Sequence, residues 1–227
     1  MEFLQPSIEV LGIEINEPIT VLTDLLISVV CLYSFLVLKK TEGNPAIRKL
    51  MMVHLAFMGL ATAIGGIVGH GLMSYLSFAW KTPGWILSMV SIAALERAVI
   101  LYALPLISKR LGTFFIWLNL IELITFVVLS FATLDFFFVE VHAGYGLVVV
   151  VASFSAFIYF KSKDRSAKTM LVGVFWSVVA AVFFTFKWGI GPWFNHFDLC
   201  HVFMAISTFY IFLGGKRMLG QKANHPS

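Results

Sequence analysis

The segment Asn195-His196-Phe197-Asp198-Leu199-Cys200-His201 places two imidazoles and a carboxylate within seven residues. On a helix Asp198 and His201 are three apart, about 60° around the axis, and so share one face. A carboxylate and an imidazole so placed can bind one metal, or the carboxylate can orient the imidazole from behind. His196 precedes His201 by five residues, about 140° away on a regular helix. It joins the same site only if the helix starts after it, which Pro192 and Asn195 permit. Two other segments carry compatible groups. Asp24 lies on a polar stripe with Thr20 and Ser28, and His70 ends the row Gly59, Ala63, Gly66, His70. Small residues on such a row let helices approach closely, so His70 is expected in a helix–helix contact. Together these groups can hold a metal, pass a proton, or pair across helices.

The elements that must position them are membrane helices. Of 227 residues, 59% are hydrophobic and only 12% charged, about half the charge of an average soluble domain. A soluble enzyme, a disordered chain and a disulfide-stapled secreted module are thereby excluded. A bilayer core of about 30 Å needs roughly 20 apolar residues per helix. Seven apolar segments qualify, at about 18–38, 47–77, 84–107, 112–132, 136–160, 168–189 and 195–214. The expected fold is therefore all-α, a polytopic membrane protein of seven transmembrane helices. Residues 1–17 form an N-terminal segment, 18–214 one membrane domain and 215–227 a tail. Pro6–Asn16 alternates around Leu11-Gly12 and reads as a short hairpin or a surface helix. The first seventeen residues lack the basic region of a cleavable signal. Cys31 and Cys200 sit inside apolar runs and act there as small hydrophobes.

Thirteen of the sixteen Lys and Arg residues flank the first, third and fifth connections or lie in the tail. The positive-inside rule then puts the C-terminus in the cytoplasm and the acidic N-terminus outside, in a plasma (inner) membrane. The basic residues lie in short loops and give no reason to expect nucleic acid. With this orientation Asp24, His70, Glu140, His142, Lys187 and the cluster His196–His201 all fall in the outer leaflet, from five helices. Ionisable groups inside a bilayer are expensive and mark function. Glu140 and His142, at a span end, are expected to be solvated. Arg97 is expected to pair with Glu96 or Glu122, and His54 to be structural or interfacial. Trp80, Trp85, Trp188 and Trp193 read as an interfacial belt.

Seven spans, an outside N-terminus, a His late in span two and a His-bearing motif opening span seven resemble the CREST group of membrane hydrolases, which includes the alkaline ceramidases and adiponectin/progestin receptors. The resemblance implies a zinc ion held by one second-span and two seventh-span histidines, with His70 matching the first and His201 the last. The group's seventh-span pattern is His-x-x-x-His. Position 197 is Phe here, which leaves Asp198 or His196 to substitute, and the group's second-span Ser is Gly66. Glu17-Pro18, Thr23-Asp24 and the segment from Asn195 to His201 also resemble an uncharacterised family of bacterial seven-helix proteins, which implies no activity.

Three functions are open to such a chain. The first is a zinc-dependent hydrolase of an amide or ester lipid entering from the outer leaflet. Its metal ligands would be His70, His201 and Asp198 or His196, and Asp24 or His142 would take the proton. The second is a proton- or ion-coupled transporter or channel that uses the same groups, continued inward by Glu96, Arg97 and Glu122. The third is a structural or signalling seven-helix protein. A retinal protein is set aside, because Lys187, at a span end, is the only span-associated lysine.

Overall fold

The computed structural model describes residues 5–220. Of the two readings of the N-terminal stretch, the hairpin is the one that forms. Strand β1 (Ile8–Val10) pairs antiparallel with β2 (Ile13–Ile15), with Glu9 opposite Glu14. Leu11 and Gly12 turn the chain with φ of 53° and 79°, the two-residue mirror-image turn that matches strand twist. Asn16 donates its N–H to Gly71 O, and Glu14 N–H donates to the Tyr75 hydroxyl. These bonds fasten the hairpin to one end of a helix bundle.

Seven helices are long and apolar enough to cross a membrane: α1 (Pro18–Lys39), α2 (Pro45–Gly71), α3 (Phe78–Leu106), α4 (Lys109–Thr133), α5 (Phe137–Ser162), α6 (Arg165–Thr185) and α7 (His196–Gly220). By length and composition this is a multi-pass membrane protein. The ends follow local chemistry. Pro18 and Pro45 open helices where a missing N–H costs nothing. The side chains of Asn44, Ser108 and Asp164 accept from the first free N–H groups of α2, α4 and α6, as capping residues do. Leu134 and Lys163 end α4 and α5 in the left-handed region. The seventh span runs six residues past the expected end at 214, so Lys216 and Arg217 are helical. The rest of the expected tail, 221–227, lies outside the described residues.

Sequential helices pack side by side, and α7 closes on α1. Helix α3 is the most enclosed. Leu95, Ala98, Val99 and Ala103 have no exposed surface, and the small side chains let α2, α4 and α5 approach. Leu22, Val29, Leu32, Trp117, Ile121 and Phe160 point outward, the side a bilayer would cover. Trp80, Trp188 and Trp193 are exposed at the hairpin end, as a belt requires. Trp85 is not: it is 8% exposed and packs in a small core with Met89 and Val139.

Two helices widen locally into π geometry, at Gly65–Gly71 of α2 and Tyr145–Val151 of α5. Such turns recur at functional sites. In each, one glycine stands against a buried carboxylate. A Cβ on Gly66 would fall 2.8 Å from Asp24 Cβ, and one on Gly146 would fall 2.4 Å from Glu96 Oε1.

Candidate functional site

The row of small residues on α2 does face α1. Gly59 lies against Cys31 and Ser28, and Gly66 against Asp24 and the Val21 carbonyl. On α1, Thr20, Asp24 and Ser28 form the expected stripe. Ser28 donates to Gly59 O and bonds the Thr62 hydroxyl, Thr20 donates to Asp198 Oδ1, and Asp24 sits between them, 5% exposed.

At the hairpin end, α1, α2 and α7 bring Asp24, His70 and His201 together. His201 Nε2 lies 3.6 Å from Asp24 Oδ1. The His70 and His201 rings stand edge to face with centroids 6.2 Å apart. Each imidazole is fixed from behind. Nδ1 of His201 is 3.1 Å from the Thr23 hydroxyl, which also reaches Asp198 Oδ1 at 3.4 Å. The Thr23 O–H has two acceptors in reach, Thr20 O at 3.1 Å and Asp198 Oδ1 at 3.4 Å; directed to either, its oxygen accepts from the Nδ1–H and the Nε2 lone pair faces Asp24, a tautomer assigned from this network. Nδ1 of His70 makes a very short hydrogen bond to Glu17 Oε2. Glu17 holds a φ of 44° immediately before Pro18. A side-chain-bearing residue in that region costs of order 1–3 kcal/mol and persists where surrounding structure imposes it. Here the strained residue is the one that aims a carboxylate at His70.

Asp198 shares a face with His201, as their spacing requires, but its lone pairs are occupied. Oδ1 accepts from Thr20 and Thr23, and Oδ2 accepts from Asn195 N–H at 2.7 Å and Gln5 Nε2 at 3.1 Å. Gln5 Oε1 in turn accepts from the N–H groups of Ile19 and Thr20. Asp198 thus joins the first turns of α1 and α7 and orients His201 through Thr23, while Asp24 has both oxygens open. Helix α7 begins at His196, not after it, so His196 turns to the α6 side, its ring against Phe184 and Phe197.

His142 is elsewhere. It has no exposed surface, contrary to the solvated position expected, and lies on α5 with Nε2 3.6 Å from Glu122 Oε1. Glu96 of α3 completes that group: one ligand atom from each of the three residues lies within 4.8 Å of the others. Among the described residues no other three His, Cys, Asp or Glu side chains do so. Arg97 pairs with neither glutamate. It donates to Asn119 Oδ1 and Ile116 O, and Asn119 Nδ2 donates to Glu96 Oε2. His54 is structural: Nδ1 meets the Ser91 hydroxyl at 2.9 Å, and that hydroxyl donates to His54 O.

A model described as a family of unknown function (DUF6962) matches residues 19–220. The chain belongs to that family. The match takes in all seven spans and both carboxylate–imidazole groups, and leaves out the hairpin, Gln5 and Glu17. No curated protein and no solved structure matches the chain.

Within this family member, each group suits different chemistry. At the hairpin end, His201 Nε2 beside Asp24 Oδ1 with the His70 ring next to it forms an acid–base or metal-binding constellation. Two ligand atoms on one tetrahedral zinc, each about 2.1 Å from it, stand about 3.4 Å apart. The 3.6 Å between His201 and Asp24 is close to that separation. His201 and Asp24 therefore fit two neighbouring positions on one zinc, while His70, its ring centroid 6.2 Å from that of His201, stands beside them outside a common 4.8 Å set of ligand atoms. A surface groove of about 450 Å³ between α1 and α2, lined by Phe35, Arg48, Lys49 and Phe57, lies at the opposite, basic end.

Proposed function

We propose that this protein is a zinc-dependent membrane hydrolase acting on an amide or ester lipid. The observation that carries the reading is the pair of back-braced imidazoles, His70 on Glu17 and His201 on Thr23, with His201 facing the open carboxylate of Asp24. His70, His201 and Asp24 would hold the ion, with Asp24 in the place the sequence suggested for Asp198. A bound zinc acidifies water and polarises a carbonyl. The chain supplies the rest. Glu17 and the Thr23–Asp198 relay hold the two ring planes, and hydrogen bonds of this kind raise ligand basicity. Asp24 Oδ2, not engaged with His201, is the near acceptor for the proton released from water. The resemblance to the CREST hydrolases supports the same choice of His70 and His201.

The basic residues Lys39, Arg48, Lys109, Lys161 and Lys216 lie at the end opposite the hairpin. This supports a hairpin facing away from the cytoplasm and a site within reach of outer-leaflet lipid. The test is elemental analysis and fatty-acid release from amide and ester lipids, wild type beside His201→Ala, purified without chelator. Zinc and hydrolysis in the wild type, with hydrolysis lost in His201→Ala along with the zinc that His201 holds, are the expected result. Wild-type protein with neither ends the proposal.

A proton- or ion-coupled transporter is the second reading, favoured by the second buried ionisable group on α3–α5. It predicts flux in proteoliposomes that Asp24→Asn and Glu122→Gln both abolish, whereas hydrolysis at the hairpin end is indifferent to Glu122→Gln.

A further inference from the structure

The group on α3, α4 and α5 is built as a receptor in its own right. Glu96 and His142 have no exposed surface and Glu122 has 8%. Five buried atoms there have no hydrogen-bond partner: Glu96 Oε1, both oxygens of Glu122, and both ring nitrogens of His142. Buried polar atoms are almost always satisfied, and two neighbouring acids in a membrane interior need either a shared proton between them or a cation. Arg97 makes no ion pair with either acid, because its hydrogen bonds go to Asn119 and Ile116.

The surroundings position these atoms rather than neutralise them. Asn119 fixes Glu96 through Oε2 and leaves Oε1 free. Gly146, the one glycine of the π turn in α5, leaves the space that Oε1 occupies. Phe126, one turn from Glu122, stands edge to face against the His142 ring at 5.7 Å. The crevice beside Glu96, between Phe115, Asn119 and Tyr145, has no room for a water-sized sphere.

We propose that Glu96, Glu122 and His142 bind a divalent first-row transition cation, at a site distinct from Asp24, His70 and His201. Two carboxylates balance the charge of one divalent ion, and neutral His142 adds a nitrogen ligand. The 3.6 Å between His142 Nε2 and Glu122 Oε1 suits two ligands sharing one ion. A mixed nitrogen and carboxylate set in a dry pocket favours Mn²⁺, Fe²⁺ or Zn²⁺ over Mg²⁺ and Ca²⁺, which prefer all-oxygen shells. The ion ties α3, α4 and α5 to one another as Asp198 ties α1 to α7.

The test uses full-length protein in detergent, with Mn²⁺ as the probe. Elemental analysis after chelator-free purification is expected to find a cation that survives His201→Ala and is lost in Glu122→Gln. In chelator-treated protein, Mn²⁺ is expected to bind with a changed electron-spin-resonance spectrum and to raise Tm by several degrees. Glu122→Gln is expected to weaken that binding at least tenfold. Where Glu122→Gln fails to fold, the wild-type Mn²⁺ titration and Gly146→Ala, which crowds Glu96 Oε1, decide the matter. Wild type that neither carries a cation nor responds to Mn²⁺ overturns the proposal in favour of shared protons. A wild-type protein whose entire metal content is lost in His201→Ala and unchanged in Glu122→Gln also overturns it, while leaving the hydrolase reading intact.

Discussion

Gly66→Ala tests the joint on which the hairpin-end site rests. An added Cβ at position 66 would lie 2.8 Å from Asp24 Cβ and 3.2 Å from Val21 O. Carbon atoms pack best at about 3.5–4.0 Å, so α1 and α2 must part by roughly 0.7–1 Å there. Neither neighbour is the tip of a flexible side chain, so neither can swing aside. Overpacking of this kind costs about 1–3 kcal/mol, which at about 2–4 °C per kcal/mol lowers Tm by roughly 2–12 °C. The same movement draws Asp24 from His201 and reduces zinc retention. Gly144→Ala is the internal control: nothing lies within 4 Å of its added Cβ. In a helix interior that change is expected to stabilise by about 0.5–1 kcal/mol. Thermal melting of both variants in one detergent measures the difference. The reasoning is refuted if Gly66→Ala melts within a degree of wild type, or if Gly144→Ala falls equally far.

Asp198→Ala strands the buried donors of Thr20, Gln5 and Asn195 at about 1–3 kcal/mol each, so its Tm should fall further than that of His70→Ala. Thr23→Val keeps the shape of the side chain but removes the brace behind His201; zinc affinity or hydrolytic rate should drop about 10–100-fold, with Tm held within a few degrees. Gly146→Ala should lower both Mn²⁺ affinity and Tm, because its added Cβ would lie 2.4 Å from Glu96 Oε1 and 2.4 Å from Ile92 Cγ2; paired melts and titrations check this. For orientation, Leu11→Cys should react with a membrane-impermeant maleimide on intact cells and Lys109→Cys should not. Cys31 and Cys200 are buried and give little background, and labelling of Lys109→Cys alone would reverse the assigned topology.

Much of the architecture was legible because each span is an apolar run bounded by charge, Gly or Pro; hydropathy locates the runs, while caps and turns set their ends, as where α2 stops at Gly71 and not at 77. The pairing of Asp198 with His201 followed from three-residue spacing, and the approach of α1 to α2 from Gly59 and Gly66. What spacing could not supply was the partner of each polar atom. Asp198 reads as a ligand until Gln5, Thr20, Thr23 and the Asn195 N–H fill its lone pairs, and three of those four lie about 175 or more residues away in sequence. His142 and Glu122 fell outside the expected site because their meeting depends on which sides of α4 and α5 turn toward α3. Both helices are apolar nearly all round, so no stripe marks the inward side. Their signal was the bare presence of ionisable residues within apolar runs. The π turns left no sequence mark beyond glycines of the kind any tight helix contact uses.

Those wide turns give two of the seven spans a tolerance that the others lack. Removing one residue from an ordinary membrane helix swings everything beyond it through about 100° and points lipid-facing side chains inward. Removing one from residues 65–71 or 145–151 lets the coil tighten to normal winding, so both flanks keep their facing. The loss is then confined to the seat of a single acid. Span length can therefore drift by one at these two places while the bundle persists, and what disappears first is the polar chemistry, not the fold.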